Sequence, residues 1–117
     1  MNDYVEMINE VITKMRTDYA LFTIRSEYGS TKDFDEAFAQ TEGMYVVSTG
    51  RSYDKIIRTD EDGSHRSVAG FVCRKDSKKF KTGDLLMAAS WSGPATNFAR
   101  GNIFDNMPNS IRWTGIA

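Results

Sequence analysis

The chain has one cysteine, one histidine, two prolines and no apolar run near the ~20 residues that a membrane span needs. Cys73 alone cannot form an internal disulfide, and with His65 as the sole imidazole the pair cannot build a metal site. The opening Met1-Asn2-Asp3-Tyr4 lacks the basic and apolar regions of a secretory signal. These absences predict a cytoplasmic protein held by packing alone, with no metal and no cofactor. Catalytic frameworks are missing too. No serine stands in Gly-x-Ser-x-Gly, and no Gly-x4-Gly-Lys-Ser/Thr phosphate loop is present. His65 and Cys73 would lie about 25 Å apart on one extended strand. An enzyme is not expected.

What is there fits a single domain over residues 1–117, with 40% apolar and 26% charged residues. The net charge of −1 conceals a division: residues 1–50 carry −5 and residues 51–117 carry +4. An anionic ligand is therefore expected on the second half. A balance of +4 is weak for wrapping duplex DNA, so a small anion fits better than nucleic acid.

Val5, Ile8, Val11, Ile12 and Met15 recur at helical spacing and predict an amphipathic helix over 3–17, with Asn2 as its cap. Residues 20–28 alternate, Phe22 and Ile24 against Thr23, Arg25 and Glu27, and predict a half-buried strand. A shorter helix is predicted over 31–40, capped by Ser30 or Thr31 and closed by Gly43. Strands follow at 44–48, Tyr53–Thr59, Arg66–Cys73, 85–89 and 111–114, with a hairpin turn at Asp60-Glu61-Asp62-Gly63. The expected fold is α+β: an antiparallel β-meander with two helices packed on one face. In the third strand, Val68 and Val72 share one face, while Ala69, Phe71 and Cys73 share the other. Both faces are apolar, so the second must meet another layer, a ligand or a subunit, and self-association is favoured. Gly70 there allows close approach.

Residues 90–102, Ser-Trp-Ser-Gly-Pro-Ala-Thr-Asn-Phe-Ala-Arg-Gly-Asn, set two aromatic rings, two carboxamides and a guanidinium on a Gly/Pro-punctuated loop. Rings offer stacking faces, Arg100 a planar fork for phosphate, and Asn97 and Asn102 paired donor and acceptor atoms. The competing reading is a structural loop that packs Trp91 and Phe98 inward and spends Arg100 on local backbone hydrogen bonds. The basic run Arg74-Lys75-Asp76-Ser77-Lys78-Lys79-Phe80-Lys81 reads as a solvated hairpin tip before it reads as a nucleic-acid patch.

The segments Val68 to Cys73, Gly83 to Trp91, Pro94-Ala95 and Ala99-Arg100-Gly101-Asn102-Ile103-Phe104 together resemble the first-described family of phage anti-Thoeris sponge proteins over residues 53–105. That resemblance implies a non-catalytic counter-defence protein sequestering a cyclic ADP-ribose isomer made by a TIR-domain enzyme. It further implies ligand pockets between subunits of a homodimer or larger assembly, some with separate sites for cyclic oligonucleotides. Carried over, Phe71 becomes the adenine platform, Arg100 the pyrophosphate fork, Asn97 and Asn102 the ribose contacts and Trp91 a pocket wall. Arg25 and Arg112 become candidates for the second site. The turn from Lys78 to Lys81 is longer than that family's, so no ligand contact is assigned to it. Two further functions stay open: a protein–protein inhibitor using the acidic first half, and a single-stranded nucleic-acid module using Trp91, Phe98 and Phe80.

Overall fold

The computed structural model describes residues 3–26, 33–60, 63–105 and 111–117. Helix α1 spans Asp3–Ser26 and helix α2 Phe34–Ala39; strands β1 to β4 are Tyr45–Thr49, Tyr53–Thr59, Arg66–Cys73 and Leu85–Leu86. They form one antiparallel sheet in the order β1-β2-β3-β4. A separate hairpin closes the chain, β5 at Ile111–Arg112 and β6 at Gly115–Ile116. The fold is α+β, an antiparallel meander with two helices.

The strand expected over 20–28 is instead the second half of α1, as far as Ser26; Glu27 and Tyr28 lie outside the described residues. Phe22 and Ile24 alternate over too few positions to outweigh a longer stripe. Tyr4, Ile8, Val11, Met15 and Tyr19 recur three or four residues apart and all meet the core. The stripe continues to Phe22, whose ring lies 5.0 Å from Trp113 while Tyr19 meets Trp113 edge-on at 5.2 Å. A tertiary aromatic contact thus holds the helix past its predicted end. Arg25 therefore sits in a last helical turn, where a cation opposes the dipole favourably.

Helix α2 starts later than predicted. Asp33 is its cap and accepts the Glu36 N–H at 2.9 Å; Ser30, Thr31 and Asn2 lie outside the described residues. A turn after Ala39 ends at Gly43, with φ +78°. The helix rests on α1 through Arg16, which stands 4.1 Å above the Phe38 ring and donates to Thr41 Oγ1 at 2.7 Å. Strands β2 and β3 match their predicted limits, and β1 is shifted by one residue. The piece predicted over 85–89 pairs with β3 at Leu85–Leu86 alone, and 111–114 is the first arm and turn of a hairpin rather than one strand. In the β2–β3 turn, Gly63 N–H donates to Asp60 O at 2.8 Å; Glu61 and Asp62 lie outside the described residues.

Strand β3 corrects the expected facing. The register slips between Ile56 and Ile57, so Ile56 pairs with Gly70 but Ile57 pairs with Val68. Ala69 is the extra residue of this β-bulge, and it exchanges sides with Val68. Ala69 and Val72 join the helix-side core with Ile56, Leu85, Ile103 and Ile116, whereas Val68 packs with Phe71, Cys73, Phe80 and Leu86. The C-terminal hairpin docks on this bulge. A Cβ on Gly70 would stand 2.5 Å from Ile116 Cδ1, and one on Gly115 would collide with the Ala69 carbonyl oxygen.

Among the described residues no helix is long and apolar enough to cross a membrane. A buried polar contact ties α1 to the sheet: Tyr4 donates its hydroxyl to Asp54 Oδ2 at 2.7 Å, while Asp54 Oδ1 finds no hydrogen-bond partner among the described residues. Desolvation, and then this hydrogen bond, push the Tyr4 hydroxyl well above its ordinary pKa.

Tyr4→Phe removes a charge-assisted bond from a buried carboxylate and should cost about 1.5–3 kcal/mol of unfolding free energy in urea titrations. Gly115→Ala must adopt φ +138° and displace backbone at Ala69, so it should cost at least about 1–3 kcal/mol. Gly93→Ala, with open space at its Cβ, should be nearly neutral in the same titration.

Candidate functional site

Residues 87–105 leave and rejoin the sheet at β4, with Ala88 and Ala99 on the face opposite the helices and Ile103 back in the helix-side core. Strand β4 starts the excursion, and the returning chain closes β4's outer edge. Leu85 N–H donates to Gly101 O at 2.8 Å, Arg100 N–H to Leu85 O at 2.7 Å and Ile103 N–H to Gly83 O at 3.0 Å. The turn is pinned at Gly93-Pro94: Ala89 and Ser90 N–H both donate to Gly93 O at 3.1 Å, and Ala88 bridges Pro94. Ala88 and Ala99 pack on the cluster of Phe71, Cys73, Phe80 and Leu86. The second apolar face of β3 is thus covered by the chain's own loop, another layer rather than a subunit.

The loop's polar residues serve mainly to hold it. Arg100 Nη1 donates to Phe98 O at 2.7 Å and to Asn97 Oδ1 at 3.2 Å, and the guanidinium carbon lies 3.8 Å from the Phe98 ring centroid. Asn97 Oδ1 also accepts the Phe98 N–H. Asn102 Nδ2 donates to Thr82 O at 3.1 Å and Asp84 Oδ1 at 3.0 Å, while its Oδ1 accepts the Phe104 N–H at 2.8 Å. The local fastening expected of Arg100 in the structural-loop reading is displayed here and extends to Asn97 and Asn102, but Phe98, which that reading packs inward, is 57% exposed. Phe71 is 2% exposed, meets Tyr53 edge-on at 6.0 Å and belongs to the packed second cluster, so no open ring face is offered for stacking. Trp91 differs: it is 48% exposed.

Beside Trp91 lies a cleft of about 270 Å³, lined by Ser48, Gly50, Arg51, Ser52, Tyr53, Lys55, Phe71 and Ser92. Two of these side chains are cationic, three are serines, and none is acidic. Lys55 Nζ stands 4.6 Å from the Trp91 ring centroid and 6.0 Å from that of Phe71; Arg66 lies 5.6 Å from Trp91. A cation this close to an indole face is attracted by the ring quadrupole. Lys55, Arg51 and Arg66 were not singled out from sequence. The signal was the pairing of β2 with β3, which sets Lys55 opposite Phe71 and so on the same face.

The β1–β2 turn that forms the cleft's rim is clamped from behind. Arg74 Nη1 donates to Gly50 O at 2.6 Å, Arg74 N–H to Ser52 O at 2.9 Å, and Arg74 Nε lies 3.7 Å from Asp54 Oδ2. Arg74 is therefore a structural cation, whereas Lys75, Lys78, Lys79 and Lys81 are exposed around a tip anchored by buried Phe80. Burial, with Asp84 adding to it, pushes the Cys73 thiol up to about 11, so it is a poor nucleophile at neutral pH. His65, at the far end of β3, contacts Ser64 Oγ and Asp60 instead.

Arg25 and Arg112 lie on the other side of the molecule, along the seam between α1 and the C-terminal hairpin. Arg25 lines a depression of about 340 Å³ with Asp18, Phe22 and Trp113; Arg112 lines one of about 370 Å³ with Thr13, Lys14, Thr17, Asp18, Leu21 and Ile111. Asp18 belongs to both and accepts the Trp113 N–H at 2.9 Å. The fold thus brings Arg25 and Arg112 to neighbouring hollows, with a carboxylate between them.

No curated protein and no solved structure matches the chain. Residues 2–115 match a family described as Family of unknown function (DUF7717), and the chain belongs to that family.

Proposed function

We propose that this chain is a non-catalytic binding protein that captures a small phosphorylated, base-containing ligand in the cleft between the β1–β2 turn and the 87–105 loop. The observation carrying this reading is the half-exposed Trp91 flanked by Lys55 and Arg66, with Lys55 also lining a cleft that has no acidic lining residue. A base stacks on the indole; Lys55, Arg51 and the hydroxyls of Ser48, Ser52 and Ser92 meet the phosphates. Stacking contributes about 1–3 kcal/mol per base, and each hydrogen bond from a charged group about 1.5–3 kcal/mol. One stacked base and three such bonds amount to about 5.5–12 kcal/mol before ordering costs, so micromolar affinity is the scale this cleft reaches.

No imidazole or carboxylate lines the cleft to activate a serine or a water, so the ligand leaves as it came. The resemblance over residues 53–105 gives this capture a biological sense: sequestration of a cyclic ADP-ribose isomer as phage counter-defence. Arg100, Asn97 and Asn102 then act by fixing the loop that carries Trp91. The hollows at Arg25 and Arg112 are the place for a second anion, with Asp18 as the group opposing it.

Incubation with a cyclic ADP-ribose isomer, denaturation and assay of the released compound should return it unaltered. Trp91→Ala should weaken binding about 5- to 150-fold by calorimetry, the equivalent of one stacked base, with the melting temperature kept. Lys55→Gln should weaken it as well. Arg100→Ala should instead lower the melting temperature before it touches affinity. A converted product would make the protein an enzyme, and the absence of any nucleotide binding would move the function to a protein partner.

A further inference from the structure

The sheet treats its two edges differently. The outer edge of β4 is closed by the chain's own residues 100–103, through the backbone hydrogen bonds of Leu85, Arg100 and Ile103. Strand β1 is the other outer strand, and four of its five residues are exposed, including Val46 at 44% and Val47 at 39%. Its pairing with β2 runs unbroken from Tyr45↔Arg58 to Thr49↔Asp54. It holds no charge, no proline, no glycine and no bulge, the devices by which proteins blunt an edge.

The hydrogen-bond parity of β1 fixes how another strand must dock. Met44 O accepts from Thr59 N–H at 2.8 Å and Gly50 N–H donates to Tyr53 O at 2.9 Å, so Met44, Val46, Ser48 and Gly50 face β2. Tyr45, Val47 and Thr49 consequently direct their N–H and C=O groups outward. An antiparallel strand that presents the same three positions pairs Val47 with Val47 and Tyr45 with Thr49, making about six N–H···O bonds. The ends agree in charge. Exposed Glu42 precedes the strand and exposed Arg51 follows it, so antiparallel self-pairing brings Glu42 of each copy toward Arg51 of the other. Parallel pairing would set like charges together.

We propose that β1 is the homodimer interface of this protein: two copies join edge to edge about a two-fold axis at Val47, making one continuous eight-stranded sheet. This interface does not depend on the ligand reading. It involves no apolar face of β3, which the 87–105 loop already covers.

Sedimentation velocity of the full chain from about 1 μM upward should show a concentration-dependent dimer. Val47→Lys sets two ammonium groups opposite each other at the axis and should give a monomer with an unchanged circular dichroism spectrum. Val47→Cys should form a disulfide-linked dimer on mild oxidation, because directly opposed residues lie about 5.5 Å apart at Cα, within disulfide reach. Val46→Cys, opposite Ser48 on the other face, should not. A wild-type chain that stays monomeric, a dimer that Val47→Lys leaves intact, or equal cross-linking from positions 46 and 47 would each overturn the proposal.

Discussion

The bulge at Ala69 is the constraint on which the rest of this fold depends. Without the extra residue, β3 would place Val68 and Val72 on one face and Ala69 with Phe71 on the other. With it, the strand turns a small, nearly flat patch, Ala69-Gly70, toward the helix side. Only such a patch lets the C-terminal hairpin approach: Gly115 lies against the Ala69 carbonyl and Ile116 against Gly70. The hairpin in turn carries Trp113, whose ring meets Tyr19 and Phe22 and extends α1 beyond its first stripe. Its backbone oxygen also accepts the Tyr45 hydroxyl, tying β1 into the same assembly. Helix length, hairpin position and the first strand's anchorage thus all trace to one inserted residue.

The same bulge sets the second face. Val68 is released to pack with Phe71, Cys73, Phe80 and Leu86, a cluster large enough to seat the 87–105 loop. Burying Phe71, Phe80 and Leu86 contributes roughly 1.5–3 kcal/mol each, while Arg100 and Asn97 fasten the loop to itself and Asn102 fastens it to Thr82 and Asp84. Trp91, left half-exposed, is held near the sheet by Lys55 and Arg66. Lys55 both stands against the indole and lines the cleft, so in the proposed capture it would exchange the ring for a phosphate.

Much of this was legible in the sequence, and the failures have physical causes. Strands β2 and β3 stood out because their alternation is clean and turn residues bound them. The end of α1 did not, because its deciding contact is with Trp113, far away in the chain. The swap of Val68 and Ala69 left no sign, since both residues suit either face and a bulge needs no special residue type. In the candidate site, the loop announced itself through Trp91 and Arg100, but composition could not say which of the two faces solvent. Arg100 proved to be fastened within three residues of itself. The open cations Lys55 and Arg66 looked like ordinary strand charges until the pairing of β2 with β3 placed them.

The charge division between the halves of the chain acquires a spatial meaning in this fold. The excess acids of the first half include Asp33, Asp35, Glu36 and Glu42, all exposed on or beside α2. The second half supplies Arg51, Lys55 and Arg66 on or beside the opposite face of the sheet. Acids gathered about α2 and cations gathered beside the cleft thus give a near-neutral protein an uneven surface charge. Strand β1 lies where the two layers meet, with Glu42 before it and Arg51 after it. That position explains how one short uncharged strand can be flanked by opposite charges.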